Sequence, residues 1–175
     1  MSQRDSGYER KERDLYETPA WVTQALLPHL PPPPLVIWEP ACGSGKMVTA
    51  LRDAGYPVLA SDIAEGHDFL ETAALAADTI VTNPPYEAAR KFIDRALNFT
   101  KERRGIVAML LRTDFDHAKT RRDLFELGPF AKKLVLTKRI KWFEESTGQP
   151  SFNHAWFIWD WKHIGPPILA YGPSR

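Results

Sequence analysis

Short apolar runs and amphipathic stretches take turns along the chain. Residues 35–38 (LVIW), 56–62 (YPVLASD), 78–83 (DTIVTN) and 105–111 (GIVAMLL) are apolar, β-rich runs of strand length. Residues 45–55 (GKMVTALRDAG), 87–103 (EAARKFIDRALNFTKER) and 117–127 (HAKTRRDLFEL) instead set their apolar residues on one helical face, with Gly55 closing the first of them. An earlier helix is expected after Thr18 and Pro19, where Trp21, Val22, Ala25 and Leu26 recur at helical spacing until four prolines at 31–34 stop it. Residues 132–142 (KKLVLTKRIKW) and 151–161 (SFNHAWFIWDW) read as two last strands joined by a polar loop, FEESTGQP. Residues 1–14 are polar and expected to form a mobile tail, followed by one domain over 15–175.

Strands alternating with helices predict a parallel sheet covered on both faces. Two final strands with no helix between them predict an antiparallel hairpin at one edge of that sheet. The chain's 175 residues suit one domain with a real core. No apolar run reaches the roughly 18–20 residues of a membrane span, and the N-terminus lacks the apolar segment of a signal peptide. One cysteine, Cys42, forms no internal disulfide, and five scattered histidines beside it make no zinc pattern. A cytoplasmic protein without membrane attachment is the expectation.

The net charge of +1 conceals an asymmetry. Residues 1–86 carry 6 Lys/Arg against 12 Asp/Glu, whereas residues 87–141 carry 15 against 7. A basic middle can meet a polyanion; the plain alternative is a set of solvated helix faces.

The stretch Glu39 to Lys46, EPACGSGK, ends like a phosphate-binding loop. That motif needs a glycine separated by four residues from its Gly-Lys pair, and Ser or Thr after the lysine. Pro40 stands at the first position and Met47 at the last, so a triphosphate loop is rejected. What remains is a strand, an acid, a turn through Gly43 and Gly45, and a helix. Glu39 would repel phosphates, and Asp62 ends the next strand, where nucleotide folds read ribose hydroxyls. Two acids around a glycine turn suit a nucleoside carrying positive charge, against the plain alternative of a tight strand–helix turn.

Asn83-Pro84-Pro85-Tyr86 follows a buried strand. The prolines stiffen the turn and remove backbone donors. Asn83 and the Pro84 carbonyl offer acceptors for the two hydrogens of a planar amino group, and Tyr86 offers a flat face for stacking.

Together, EPACGSG and NPPY resemble the class I S-adenosylmethionine-dependent amino-methyltransferases, especially small phage-type DNA N6-adenine methyltransferases. The resemblance extends from about Tyr16 to Asp160. YETPAWV, with Tyr16, Thr18 and Pro19, is similar to the segment that closes over the methionine part of the cofactor. GHDFL is similar to the loop that holds the cofactor adenine, with Asp68 on its amino group and Phe69 beside its ring. RIKW and AWFIWD are similar to the family's last hairpin. The resemblance implies S-adenosyl-L-methionine as cofactor, held by Tyr16, Thr18, Pro19, Glu39, Pro40, Ala41, Cys42, Gly43, Gly45, Asp62, Ile63, Asp68 and Phe69. It also implies an α/β, Rossmann-like, doubly wound, mostly parallel seven-stranded sheet with an antiparallel C-terminal hairpin in one domain.

The implied reaction is methyl transfer to the N6 amino group of adenine, with Asn83, Pro84, Pro85 and Tyr86 as the catalytic turn and no catalytic histidine. A duplex base reaches such a pocket only when flipped out. Tyr86 is expected on one face of the base and Trp142, with Phe143 in reserve, on the other. Arg112, Lys119, Arg121, Arg122, Lys138, Arg139 and Lys141 are candidates for phosphates. Cys42 is read as a small packed residue, and His117 and His154 as bystanders at a helix start and in the final strand. Trp156, Trp159 and Trp161 are read as hairpin packing or a surface patch.

DNA is the favoured partner. RNA is the nearest alternative, and protein glutamine N5 is the alternative of another class, since a carboxamide presents a similar planar amino group. A binding module that keeps the fold as scaffold is the non-enzymatic alternative. No separate target-recognition region is visible, which points to loose recognition, a homodimer, or a separate specificity subunit.

Overall fold

The computed structural model describes residues 16–73, 76–142 and 152–173. Four helices and seven strands follow in the order α1 (Ala20–Leu26), β1 (Ile37–Glu39), α2 (Lys46–Asp53), β2 (Val58–Ala60), β3 (Thr79–Thr82), α3 (Ala89–Lys101), β4 (Ile106–Arg112), α4 (Arg122–Glu126), β5 (Phe130–Val135), β6 (His154–Asp160) and β7 (Ile168–Tyr171). They form a single sheet of order β2-β1-β3-β4-β6-β5-β7. Six strands share one direction, and β6 alone runs against its neighbours β4 and β5.

The central strands explain the layering. Successive side chains of a strand point to opposite faces. In β4, Ala108 and Leu110 join α1, α2 and Trp156 on one face, while Val107, Met109 and Leu111 join α3, Phe157 and Trp159 on the other. Both faces of β4 and β6 are therefore dry, and their sequences are continuously apolar rather than alternating. Trp156 and Trp159 are fully buried, and their indole N–H groups donate to the carbonyls of Val22 and Leu124.

Three sequence expectations need correction. The final hairpin is not an edge: β6 inserts between β4 and β5, and β7 covers β5 on the outside. β7 itself escapes a pattern reading because three of its four residues are exposed and it follows Pro166 and Pro167. The strand expected over 132–142 is displaced to Phe130–Val135, because its partner β6 begins only at His154. The helix expected over 117–127 shortens to Arg122–Glu126, preceded by two 3-10 turns, and His117 closes the first of these rather than opening a helix. The expected mobile tail, the 143–150 loop and Phe143 lie outside the described residues.

Among the described residues, no helix is long and apolar enough to cross a membrane. The feature that positions a site is the crossing at β1. From β1 the chain turns to β2 on one side and then returns to β3 on the other, so a crevice opens at the carboxyl ends of β1 and β3.

Candidate functional site

That crevice is lined by four segments: Tyr16, Glu17 and Thr18; Glu39 with the turn after it; Asp62 to Ala64; and Asn83 to Tyr86. The turn after β1 is possible because Gly43 and Gly45 hold φ of 50° and 84°, a region that side chains disfavour. Gly45 caps α2 in that conformation. Asp62 fixes the turn from the side. Its two oxygens accept from the backbone N–H of Gly43 and of Ala64, both at 2.8 Å.

Glu39 forms the floor. It is 1% exposed, and one carboxyl oxygen accepts from the Thr82 hydroxyl at 3.0 Å. The other oxygen is buried without a partner among the described residues. Burial is the main cause that pushes this carboxyl up to about 8, and the neighbouring Asp62 carboxylate adds to it. In the free protein Glu39 is thus held as the neutral acid at neutral pH. The same burial and the surrounding acids push the Cys42 thiol up, so it stays protonated.

Asn83 stands one residue beyond Thr82. Its amide nitrogen donates to the Tyr16 carbonyl at 3.1 Å, which fixes the orientation of the amide. Its carbonyl oxygen is then turned away from that bond, buried, and without a partner among the described residues. The result is a preformed acceptor.

The segment 16–18 crosses the crevice as a strap. Besides the Asn83 bond, Glu17 pairs with Lys46 at 2.6 Å, and this bond holds the Glu17 carboxyl below its ordinary range. Lys46, which by pattern is only an early-helix residue, thus lines the crevice and ties the strap down.

Four rings cluster together, two of which, Tyr16 and Tyr86, line the crevice. Tyr16 lies 6.2 Å from Tyr86 and 5.3 Å from Trp142, centroid to centroid. His154 lies 6.2 Å from Tyr86 and 5.1 Å from Trp142. Tyr86 and Trp142 are thus bridged by Tyr16 on one side and His154 on the other. His154 is the member that sequence reasoning missed. A lone polar residue opening an apolar strand was the only signal, and nothing in sequence joins it to Tyr86 across 68 positions.

Of the seventeen expected catalytic and cofactor residues, twelve line this crevice: Tyr16, Thr18, Glu39, Ala41, Cys42, Gly43, Asp62, Ile63, Asn83, Pro84, Pro85 and Tyr86. Pro19, Pro40 and Gly45 are next to lining residues in the chain but not in the lining, as the cap of α1, a buried turn residue and the cap of α2. Phe69 is placed elsewhere. It is 2% exposed and packs between Trp38, Phe92 and Phe99 in the core, because an aromatic ring gains more there than at a wet rim. Asp68 beside it caps its own turn, accepting from the Leu70 N–H at 2.8 Å.

The basic residues divide. Arg112 pairs with Asp114 and lies over the Phe152 ring at 4.1 Å, next to His154 in the sheet register, and Arg139 donates to Asn153. Lys141 is exposed beside Trp142. Arg121 instead stacks on Phe115 and donates to its carbonyl, and Arg122 pairs with Glu126 beside a separate depression. Arg90, Arg95 and Arg103 are likewise engaged in bonds within the fold.

The single sheet with one reversed strand and a cleft at the strand ends is the class I S-adenosylmethionine-dependent methyltransferase fold, and one structural neighbour is described by that name. No protein-family model and no curated protein matches the sequence. Among solved structures, the chain is similar to a Listeria monocytogenes protein described as a class I S-adenosylmethionine-dependent methyltransferase, over 89% of this chain and 63% of that one, with TM-score 0.57 and 15% identity. It is similar to the type I restriction-modification system methyltransferase subunit from Streptococcus thermophilus, over 82% and 43%, with TM-score 0.57 and 16% identity. It is also similar to the 23S rRNA methyltransferase ErmE, over 83% and 68%, with TM-score 0.55 and 18% identity. The chain thus spans less than two thirds of the first two of these structures.

Proposed function

We propose that this chain is an S-adenosylmethionine-dependent methyltransferase that methylates the N6 amino group of adenine in nucleic acid, with DNA favoured over RNA. The observation that carries the reading is the Asn83 carbonyl oxygen. It is buried, unpartnered among the described residues, oriented by the Tyr16 bond, and set in a Pro-Pro turn at the cleft. A buried acceptor without a donor is costly, and it is kept where a ligand supplies the missing hydrogen.

The cleft suits the methyl donor. Once ionised against such a ligand, Glu39 at its floor can take a cationic or hydrogen-donating part of it on the oxygen that has no partner among the described residues, and the glycine turn lets a ligand approach the backbone. When bound, the cofactor supplies a methyl group already activated on a sulfonium. The protein's own work is placement and exclusion of water. Asn83 Oδ1 and the Pro84 carbonyl would accept the two amino hydrogens, so that the nitrogen lone pair is localised away from the ring. The same two oxygens would stabilise positive charge growing on that nitrogen. Tyr86 offers its face to the base. No general base is needed before transfer, because the neutral amine attacks and its proton leaves afterwards.

Nucleic acid is favoured by the cationic groups Arg139 and Lys141 near the aromatic cluster, with Arg112 beside them in its ion pair with Asp114. The restriction-modification neighbour supports DNA, and the rRNA neighbour keeps RNA as the second reading. A homodimer or a separate specificity subunit is the proposed partner in target recognition, and the cytoplasm the proposed location. The deciding experiment incubates the protein with radiolabelled methyl donor and separate pools of duplex DNA, single-stranded DNA, RNA and protein. Nucleoside digestion should yield N6-methyladenine from DNA; label found in protein alone would refute the reading.

A further inference from the structure

His154 opens β6 at the level of Arg112 and is 2% exposed. Its Nε2 stands 2.9 Å from the Tyr86 hydroxyl, and either neutral tautomer can make that bond. Its ring lies at 28° to the Tyr86 ring, and Trp142 meets its other side nearly edge-on at 85°. Its Nδ1 is buried and faces the Phe152 backbone without a well-formed hydrogen bond. An apolar side chain would fill this strand position without burying two polar nitrogens. The imidazole therefore costs the fold something, and its Nε2 is directed to the tyrosine of the cleft.

We infer that His154 is a positioning residue: by holding the Tyr86 hydroxyl it fixes the plane of the ring against which the acceptor base stacks. This rests on the methyl-transfer reading above. Tyr86 begins a 3-10 turn directly after Pro85 and is only half-buried, so a bond at its hydroxyl restrains the ring at the end farthest from the backbone. A ring fixed beforehand spares the base the cost of ordering it on binding. The charge state suits this role. Burial first, and the Arg112 guanidinium second, push His154 down to about 4, while the Phe152 backbone and the Asp114 carboxylate oppose them. The imidazole is thus neutral and sets no cation beside a nitrogen that becomes positive in the reaction.

The test is steady-state methyl transfer to adenine-containing DNA by wild type, His154→Phe, His154→Gln, Tyr86→Phe and the double variant His154→Phe/Tyr86→Phe. His154→Phe keeps the ring shape and loses the bond; its kcat should fall roughly 10- to 100-fold, the scale of a small misplacement, with KM for the methyl donor little changed. Tyr86→Phe should show the same loss. The double variant should lose no more than the worse single variant, because both remove one bond. His154→Gln, whose amide reaches the same hydroxyl, should recover most of the rate. Multiplying losses in the double variant, or wild-type kcat in His154→Phe, overturns the proposal. If His154→Phe does not fold, wild-type kcat in Tyr86→Phe overturns it equally. A wild type that methylates no nucleic acid overturns the methyl-transfer reading and this proposal together, whereas normal transfer by both single variants overturns this one alone.

Discussion

Replacing Glu39 by Gln should stabilise the ligand-free protein, and more so as pH rises. Folding moves this carboxyl from an ordinary 4.5 to about 8. The native state therefore keeps a proton that the unfolded chain has released, and stability falls as pH climbs from 4.5 towards 8. Across that window the loss runs at about 1.4 kcal/mol for every step of one in pH. By pH 7 it reaches about 3 kcal/mol, whereas at pH 5 it is still under about 1 kcal/mol. The side chain is 1% exposed, so solvent screens little of this. Glutamine keeps an oxygen for the Thr82 hydroxyl and carries no charge to bury. The assay is urea unfolding of both proteins, without ligand, at pH 5 and pH 7. The advantage of the variant should be larger by about 2 kcal/mol at pH 7, which for a chain of 175 residues is roughly 4–8 °C in Tm. All other titrating groups cancel in the difference. An advantage equal at the two pH values, or greater at pH 5, refutes this account of Glu39.

The remaining predictions concern the same cleft. Asn83→Ala should lower methyl transfer by about 10²-fold or more, as loss of a charge-stabilising group does, while cofactor binding measured by calorimetry changes much less. Lys46→Met should change stability by less than about 1 kcal/mol, since its pair with Glu17 is half exposed, yet should weaken cofactor binding by releasing the strap; unchanged affinity would dismiss the strap. Nucleic-acid binding should weaken with salt, and Lys141→Ala should reduce the slope of log K against log salt by about one, whereas Arg122→Ala, whose guanidinium pairs with Glu126, should leave the slope alone. His154 is depressed from 6.5 to about 4, so its contribution to stability is whole above pH 6.5 and lost as pH falls through 4; His154→Gln should flatten that acid limb in unfolding experiments at pH 4.5 and 7.

Local chemistry is what the sequence determined. The alternation of apolar runs and amphipathic stretches is set by side-chain periodicity, and it located five of the seven strands to within a few residues and the start of a sixth, β5. The glycines after Glu39 admit backbone angles that other residues disfavour, and the prolines after Asn83 are locked by their own rings, so both turns were legible before any packing was known. Other features depended on neighbours distant in sequence. The insertion of β6 between β4 and β5 follows from which strands find dry partners on both faces, and the exposed β7 carries no pattern to announce itself. Phe69 went to the core because three aromatic rings were waiting there. Only the tertiary structure could orphan one oxygen of Glu39 and one of Asn83, since an unpaired group is defined by everything around it. Only it could bring His154 to Tyr86, because a hydrogen bond across 68 residues is a property of the sheet's register rather than of either residue.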